Sequence, residues 1–176
     1  MKFKNCLLIL LCAICSSAYS QTEKSPSEEA KAFYKEGMKD YKFLRYKEAI
    51  ENYNKAIAID SAYINAYIQR GFCKGMIKDF TGEIDDYTMA VKIDPKHKFA
   101  YISRGSAKNK TGDYHAAIED FNAALEIDPK DQEAYNNRGF AKKALNDMKG
   151  ACEDWNKSKQ LGNEEAKIIL KNNRCK

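Results

Sequence analysis

Four glycines stand at intervals of 34 residues and set the frame of the chain: Gly37, Gly71, Gly105 and Gly139. An aromatic residue precedes each of them by four positions: Phe33, Tyr67, Tyr101 and Tyr135. A second aromatic follows each glycine by sixteen positions: Tyr53, Tyr87, Phe121 and Trp155. A fixed period of this length indicates one supersecondary unit copied in a row. Each copy alone leaves an apolar face bare, so the copies must stack on one another.

Within each unit the apolar residues recur three and four positions apart, which is the helical period. In the first unit this spacing runs from Phe33 to Tyr41 and again from Tyr46 to Ile57. Pro95 and Pro129 close two of the units. Because proline cannot continue a helix interior, it marks a turn there. The pattern therefore predicts two helices in each unit.

This frame resembles the tetratricopeptide repeat (TPR) family over residues 30–163. The resemblance implies an all-α fold, a right-handed α-solenoid of four helix–turn–helix TPR units with a C-terminal capping helix. We expect the units at residues 30–63, 64–97, 98–131 and 132–165. Residues 166–176 are expected to form the capping helix and tail, since Ala166, Ile169 and Leu170 make one apolar stripe.

Residues 1–20 have the pattern of a secretory signal peptide, with Lys2 and Lys4 before an apolar run from Leu7. Small residues before the break predict cleavage after Ser20, leaving a linker at residues 21–29. The alternatives are an uncleaved N-terminal anchor and a lipid anchor on Cys12 or Cys15. We expect an exported protein, periplasmic or secreted. The cut site and the tail also resemble exported repeat proteins of Bacteroidetes type.

Composition excludes several functions. Cleavage would remove two of the 30 basic residues and none of the 25 acidic ones, so the formal charge would fall from +5 to +3. Basic residues form no run, which argues against nucleic acid. The two histidines, His97 and His115, stand in no nucleophile or metal-ligand pattern. We therefore predict no enzyme, no cofactor and no metal site.

Charged residues also recur at the repeat period. Arginine precedes the glycine in three units, lysine follows it, and aspartate precedes the second aromatic: Arg70, Arg104 and Arg138; Lys74, Lys108 and Lys142; Asp86, Asp120 and Asp154. We expect a ladder of ion pairs between helices. The alternative is an arginine row that binds an acidic ligand.

The frame glycine is expected to face a small residue twelve positions later, so that the paired helices approach closely: Ala49, Ala117 and Ala151. The second unit has Glu83 at this position. Glu83 is expected either to swing into solvent or to lie paired against Arg70 or Lys74, because a buried charge is tolerated only when it is paired.

Three cysteines remain after residue 20. Cys152 lies early in one predicted helix and Cys175 lies near the end of the next, and an antiparallel turn at Gly162 would bring them level. We predict a Cys152–Cys175 disulfide, the alternative being two free thiols. Cys73 occupies a small-residue core position, so a buried free thiol is expected there.

The resemblance implies a concave face lined by the first helix of each unit, where a ligand meets fixed repeat positions. The predicted partner-binding residues are Tyr34, Met38, Tyr41, Asn65, Ile68, Phe72, Ile102, Asn109, Asn136 and Phe140. Further residues of this face are Lys42, Met76, Ser106, Lys110 and Lys143. The family's chaperone-binding members hold a C-terminal carboxylate with a polar, basic clamp, but Tyr34, Met38, Ile68 and Phe72 stand where that clamp would begin. We therefore expect another protein partner, a helix or an extended peptide.

Two functions follow from the sequence. The first is a non-enzymatic protein–protein interaction scaffold that binds a peptide or helix in the concave groove, in the cell envelope or outside the cell. The second is a structural or accessory subunit of an envelope assembly, which uses the convex face or the open N-terminal repeat. Self-association through that first repeat belongs to the second function.

Overall fold

The computed structural model describes residues 26–175, and within them every regular element is an α-helix. The helices are α1 (Glu28–Lys42), α2 (Tyr46–Ile59), α3 (Ile64–Met76), α4 (Phe80–Ile93), α5 (Lys98–Thr111), α6 (Tyr114–Ile127), α7 (Gln132–Ala144), α8 (Met148–Gln160) and α9 (Glu164–Asn172). The helical prediction is confirmed, with two helices in each 34-residue unit. The predicted signal peptide at 1–20 lies outside the described residues.

Side-chain caps define where the helices begin. Ser27 Oγ accepts a hydrogen bond from the Ala30 amide and starts α1. The second helices of the last three units begin after an aspartate whose carboxylate accepts from a first-turn amide, which satisfies one of the free N–H groups there. These N-caps are Asp79, Asp113 and Asp147.

The turn inside each unit requires one left-handed residue at the same repeat position. These residues are Leu44, Lys78, Gly112 and Asn146, with φ of 60°, 66°, 84° and 65°. The following amide donates back to a carbonyl five residues earlier, as the Asp79 amide does to the Lys74 carbonyl at 2.9 Å. This hydrogen bond is typical of a Schellman motif, which ends a helix with one left-handed residue and satisfies carbonyl groups of its last turn.

Each helix packs on its neighbours in the chain, so the units stack in order. The first helices of successive units also touch, α1 with α3 and α5 with α7. Helices α1, α3, α5 and α7 therefore share one side of the stack, which we call the inner face.

Gly37, Gly105 and Gly139 lie closest to the second aromatic of their unit, whereas Gly71 lies closest to Asp86. A Cβ on Gly139 would lie 2.5 Å from Trp155 Nε1, and one on Gly105 would lie 2.8 Å from Phe121 Cε1. The alanines Ala49, Ala117 and Ala151 are fully buried, and a Cβ on Gly105 would also lie 3.2 Å from the Ala117 carbonyl oxygen.

The C-terminal helix α9 covers the last unit. It begins at Glu164, slightly before the predicted boundary at 166, and it buries Ala166, Ile169 and Leu170. A disulfide joins Cys152 to Cys175 across a Cα–Cα distance of 5.6 Å, within the range that such a bond needs. Cys73 is a buried free thiol, and burial raises its pKa to about 11.

Candidate functional site

The inner face carries a row of residues at the ninth position of each unit: Met38, Phe72, Ser106 and Phe140. Phe72 and Phe140 are each 39% exposed, although each also packs edge-on against a second ring, Tyr41 and Trp155 respectively. Single exposed apolar residues are normal on a protein surface, whereas apolar residues that are grouped on one face are typical of contact sites. This row is therefore the candidate site of the described chain.

Three predicted binding residues are buried, and this corrects their assignment. Ile68 and Ile102 lie in the cores between units, and Asn136 is buried below the indole of Trp155, whose Nε1 donates to the Asn136 carbonyl at 3.2 Å. The fifth position of the unit lies in the seam with the unit that follows, since Ile68 clusters with Ala100 of α5 and Ile102 with Ala134 of α7. All three side chains lie below the surface of the inner face.

The remaining predicted residues lie on or near the surface. Tyr34 is half-buried against Tyr53 and Tyr63, and Met38 and Tyr41 pack over the same first-unit core. Asn65 is exposed on α3. Asn109 is half-buried and its amide donates to the Asn137 carbonyl at 3.3 Å.

A pocket of about 240 Å³ opens on the inner face between the second, third and fourth units. Its lining residues are Phe72, Glu83, Tyr87, Phe99, Ser103, Ser106, Lys110 and Glu133. Sequence reasoning missed Phe99 and Glu133. Both stand at the second position of their unit, as Asn65 does, so the same repeat rule could have found them.

Glu83 is only 5% exposed and forms an ion pair with Lys110, at 3.1 Å from Nζ to Oε1. The expectation of a solvent-facing side chain was wrong, and so were the expected partners Arg70 and Lys74. Desolvation raises the pKa of the Glu83 carboxyl, and the hydrogen bond from Lys110 opposes that shift. Lys110 belongs to the next unit and also lies over the Phe80 ring.

The charged ladder is present as expected. In the last three units one buried aspartate accepts from an arginine and a lysine of the paired helix, as Asp120 does from Arg104 Nη2 at 2.6 Å and Lys108 Nζ at 2.8 Å. The equivalent pairs are Asp86 with Arg70 and Lys74, and Asp154 with Arg138 and Lys142. Each arginine already has its acid, so the ladder is structural, and the alternative of a row for an acidic ligand loses its basis.

The same arginines also tie each unit to the one before. Arg70 Nη1 donates to Asn54 Oδ1 at 2.6 Å, and Arg138 Nη1 donates to Asn122 Oδ1 at 2.6 Å. The first unit reverses the polarity, since Asp40 on α1 accepts from Arg45 and from Asn52 of α2. No unit precedes the first one in the described chain, so an arginine there would have no neighbour to reach.

Residues 26–175 contain no cluster of three potential metal ligands, and none of the helices in this range is long and apolar enough to cross a membrane. The histidine His97 caps α5, accepting the Ala100 amide at its Nδ1 at 3.2 Å.

Stacked helix pairs with an aromatic inner face define a helical-repeat scaffold. A TPR repeat model matches residues 45–73 and 105–146. No curated protein sequence matches the chain significantly. Among solved structures, a crystal structure of MamA is 23% identical with a TM-score of 0.73, over 82% of this chain and 84% of that one.

Two smaller structures are more similar in sequence. The first TPR of Spaghetti (RPAP3), bound to the HSP90 peptide SRMEEVD, is 28% identical with a TM-score of 0.66, over 68% of this chain and 95% of that one. The Arabidopsis OM64 TPR domain is 28% identical with a TM-score of 0.63, over 66% of this chain and 96% of that one. The chain thus has the fold of tetratricopeptide repeat proteins, and two stretches of it match a model of that repeat.

Proposed function

We propose that this TPR protein is a non-enzymatic scaffold which holds a peptide or helix of a partner protein in its inner groove, in the cell envelope or outside the cell. The observation that carries the proposal is the exposure of Phe72, Phe99 and Phe140 along one helix-lined trough. Apolar anchors at helical spacing suit a partner helix or an extended peptide. Aromatic residues are also the side chains that most often dominate binding energy.

The related TPR structure bound to SRMEEVD holds an acidic peptide. The present groove has Tyr34, Met38 and Phe72 at three of the positions where the family's carboxylate clamp begins. Met38 and Phe72 offer no hydrogen-bond donor to a terminal carboxylate, and Tyr34 offers a single neutral hydroxyl in place of a basic group. We therefore propose a partner of a different chemistry from that peptide.

The test is a comparison of two double variants of the mature chain. Phe72→Ala/Phe140→Ala removes two groove anchors, and Phe43→Ala/Leu44→Ala removes two exposed apolar residues from the turn between α1 and α2. Both variants must first melt cooperatively. We expect the groove variant alone to lose the partner captured from envelope extract of the source organism. Retention by the groove variant would refute the proposal.

The second candidate, an envelope-assembly subunit that docks through the first repeat, is favoured by Phe43 and Leu44. Both are exposed, and Leu44 keeps a left-handed backbone that a leucine rarely adopts. The control variant above tests this function directly. A partner or a self-association lost only from Phe43→Ala/Leu44→Ala assigns the contact to the first repeat.

Export is proposed from the signal pattern of residues 1–20. Expression of the full chain in its own host, followed by fractionation and N-terminal mass spectrometry, tests it. We expect an envelope or medium fraction whose N-terminus is Gln21. A cytosolic chain that keeps Met1 refutes export.

A further inference from the structure

The pocket between the second and fourth units differs in charge from the rest of the chain. Its lining holds two carboxylates, Glu83 and Glu133, against one ammonium group, that of Lys110. The whole chain carries a formal charge of +5. Among the described residues Glu133 has no ion-pair partner, and its side chain is exposed at the rim.

The pocket is lined by a buried carboxylate, that of Glu83. The carboxylate lies close to α3, and a Cβ on Gly75 would come within 2.7 Å of it. The paired Lys110 is the movable member, because its side chain is 44% exposed while that of Glu83 is 6% exposed. A buried carboxylate needs a cation in contact, but Lys110 can leave for solvent if another cation takes its place.

Two exposed rings flank the acid. Phe72 is 39% and Phe99 is 49% exposed, and both line the pocket. A lysine or arginine head group is attracted to the face of such rings. Lysine already behaves in this way here, since Lys110 Nζ lies 5.4 Å from the centroid of Phe80.

We propose that this pocket binds a basic side chain of the partner peptide, with Glu83 as its counter-ion, Glu133 at the rim and Phe72 and Phe99 as its walls. The inference rests on the proposed groove function and specifies the class of ligand, a peptide with a basic side chain. A guanidinium group fits best, because it can accept the planar stacking of the rings and donate two parallel hydrogen bonds to one carboxylate. An arginine of the peptide then replaces Lys110 on Glu83.

The test uses acetyl-arginine amide as the probe and acetyl-citrulline amide as its uncharged isostere. Binding is followed by two-dimensional NMR of the mature, disulfide-intact chain at about pH 8, where acidic side chains are ionised. We expect the arginine probe to shift the backbone amides of Phe72, Ser106 and Lys110. The citrulline probe is expected to bind about tenfold more weakly, the effect of losing a charge-assisted hydrogen bond.

Three variants separate the roles of the carboxylates. Glu83→Gln keeps the shape of the side chain and is expected to weaken the arginine probe about tenfold or more. Glu133→Gln is expected to weaken it about two- to threefold, as for an exposed charge. Glu119→Gln, on the exposed side of α6, is the matched control and leaves affinity unchanged.

Lys110→Gln is expected to raise the affinity for the arginine probe, whereas Glu83→Gln lowers it. An ion pair with only a structural role would not produce this rise. Removing the competing ammonium group should tighten the arginine probe about three- to tenfold. The probe should also raise the melting temperature of this variant more than that of the wild type, since it binds the folded state. The Lys110→Gln variant still tests whether a basic side chain binds to Glu83 if Glu83→Gln does not fold.

Five results would overturn the inference. Equal affinity for the arginine and citrulline probes excludes charge recognition. A shift pattern outside the pocket, or no pocket shift up to about 50 mM probe, excludes binding of the arginine side chain in this pocket. Preference for acetyl-glutamate amide would make Lys110 the binding group and the site one for acidic side chains. Unchanged or weaker binding of the arginine probe by Lys110→Gln would show that the probe does not replace Lys110 on Glu83.

The failure of this inference is distinguishable from that of the groove proposal. If the arginine probe misses the pocket while Phe72→Ala/Phe140→Ala still loses the partner, the groove function stands without this specificity. If the probe binds but the groove variant keeps the partner, the pocket is a cation site and the partner docks elsewhere.

Discussion

Replacement of Asp86 by asparagine is expected to destabilise the fold strongly, whereas the same change at the adjacent Asp85 is not. Asp86 is 2% exposed, and it accepts from Arg70 Nη2 at 2.5 Å and from Lys74 Nζ at 2.9 Å. Asp85 is exposed on the same helix and has no ion-pair partner among the described residues. The two variants have the same change in charge, volume and helix propensity, so their difference isolates the buried contact.

The size of the effect follows from the surroundings of the two cations. Removing one member of a buried ion pair costs about 3–5 kcal/mol, because the other member stays buried without its partner. Arg70 and Lys74 keep 16% and 19% of their side-chain surface exposed, so water compensates part of the loss. We therefore expect about 3 kcal/mol for Asp86→Asn, and less than about 0.5 kcal/mol for Asp85→Asn.

Thermal unfolding followed by far-ultraviolet circular dichroism measures this difference. For a domain of this size each kcal/mol shifts the midpoint by about 2–4 °C, so Asp86→Asn should melt about 6–12 °C below the wild type. A midpoint within about 2 °C of that of Asp85→Asn would refute the buried-triad reasoning. A double-mutant cycle with Arg70→Met would then assign any remaining loss to the side-chain shape or to the ion pair.

Three further changes test the packing and the turns. Gly139→Ala should cost about 1–3 kcal/mol in unfolding free energy, because the added carbon would lie 2.5 Å from Trp155 Nε1. Leu44→Gly should stabilise by about 0.5–1 kcal/mol in urea unfolding, since glycine adopts a φ of 60° without the steric cost that leucine pays. Reducing the disulfide of Cys152 and Cys175, whose sequence separation is 23, should cost about 3 kcal/mol in melts with and without reductant. Each is refuted by a change of zero or of opposite sign.

The sequence was sufficient to predict the features that repeat. The glycines, the two aromatics and the arginine–aspartate pairs each occupy a fixed place in every unit or in all but the first. A residue with the same neighbours in several copies therefore has the same role in each. The Cys152–Cys175 bond was also predictable, because the two positions face one another across a single antiparallel turn at Gly162.

The exposure of the groove residues was less predictable, because it depends on the rotation of each helix against its neighbours. Tyr34 at the fifth position of the first unit is half-buried, whereas Ile68, Ile102 and Asn136 at the same position are buried. Ile68 and Ile102 lie in cores that include the following unit, through Ala100 and Ala134. The repeat pattern gives the position of a residue within its unit but not how deeply its side chain enters the contact with the next unit.

Glu83 shows how a departure from the repeat involves residues of two successive units. A glutamate where the other units have alanine needs room on the paired helix, and Gly75 supplies it at a position that Tyr41, Asn109 and Lys143 occupy in the other units. The carboxylate also needs a cation, and Lys110 supplies it from the following unit. A buried ion pair contributes little net stability, because the cost of desolvation offsets its attraction. The joint departure of these residues therefore points to the pocket that they line, and the arginine and citrulline probes test whether its charge selects the ligand.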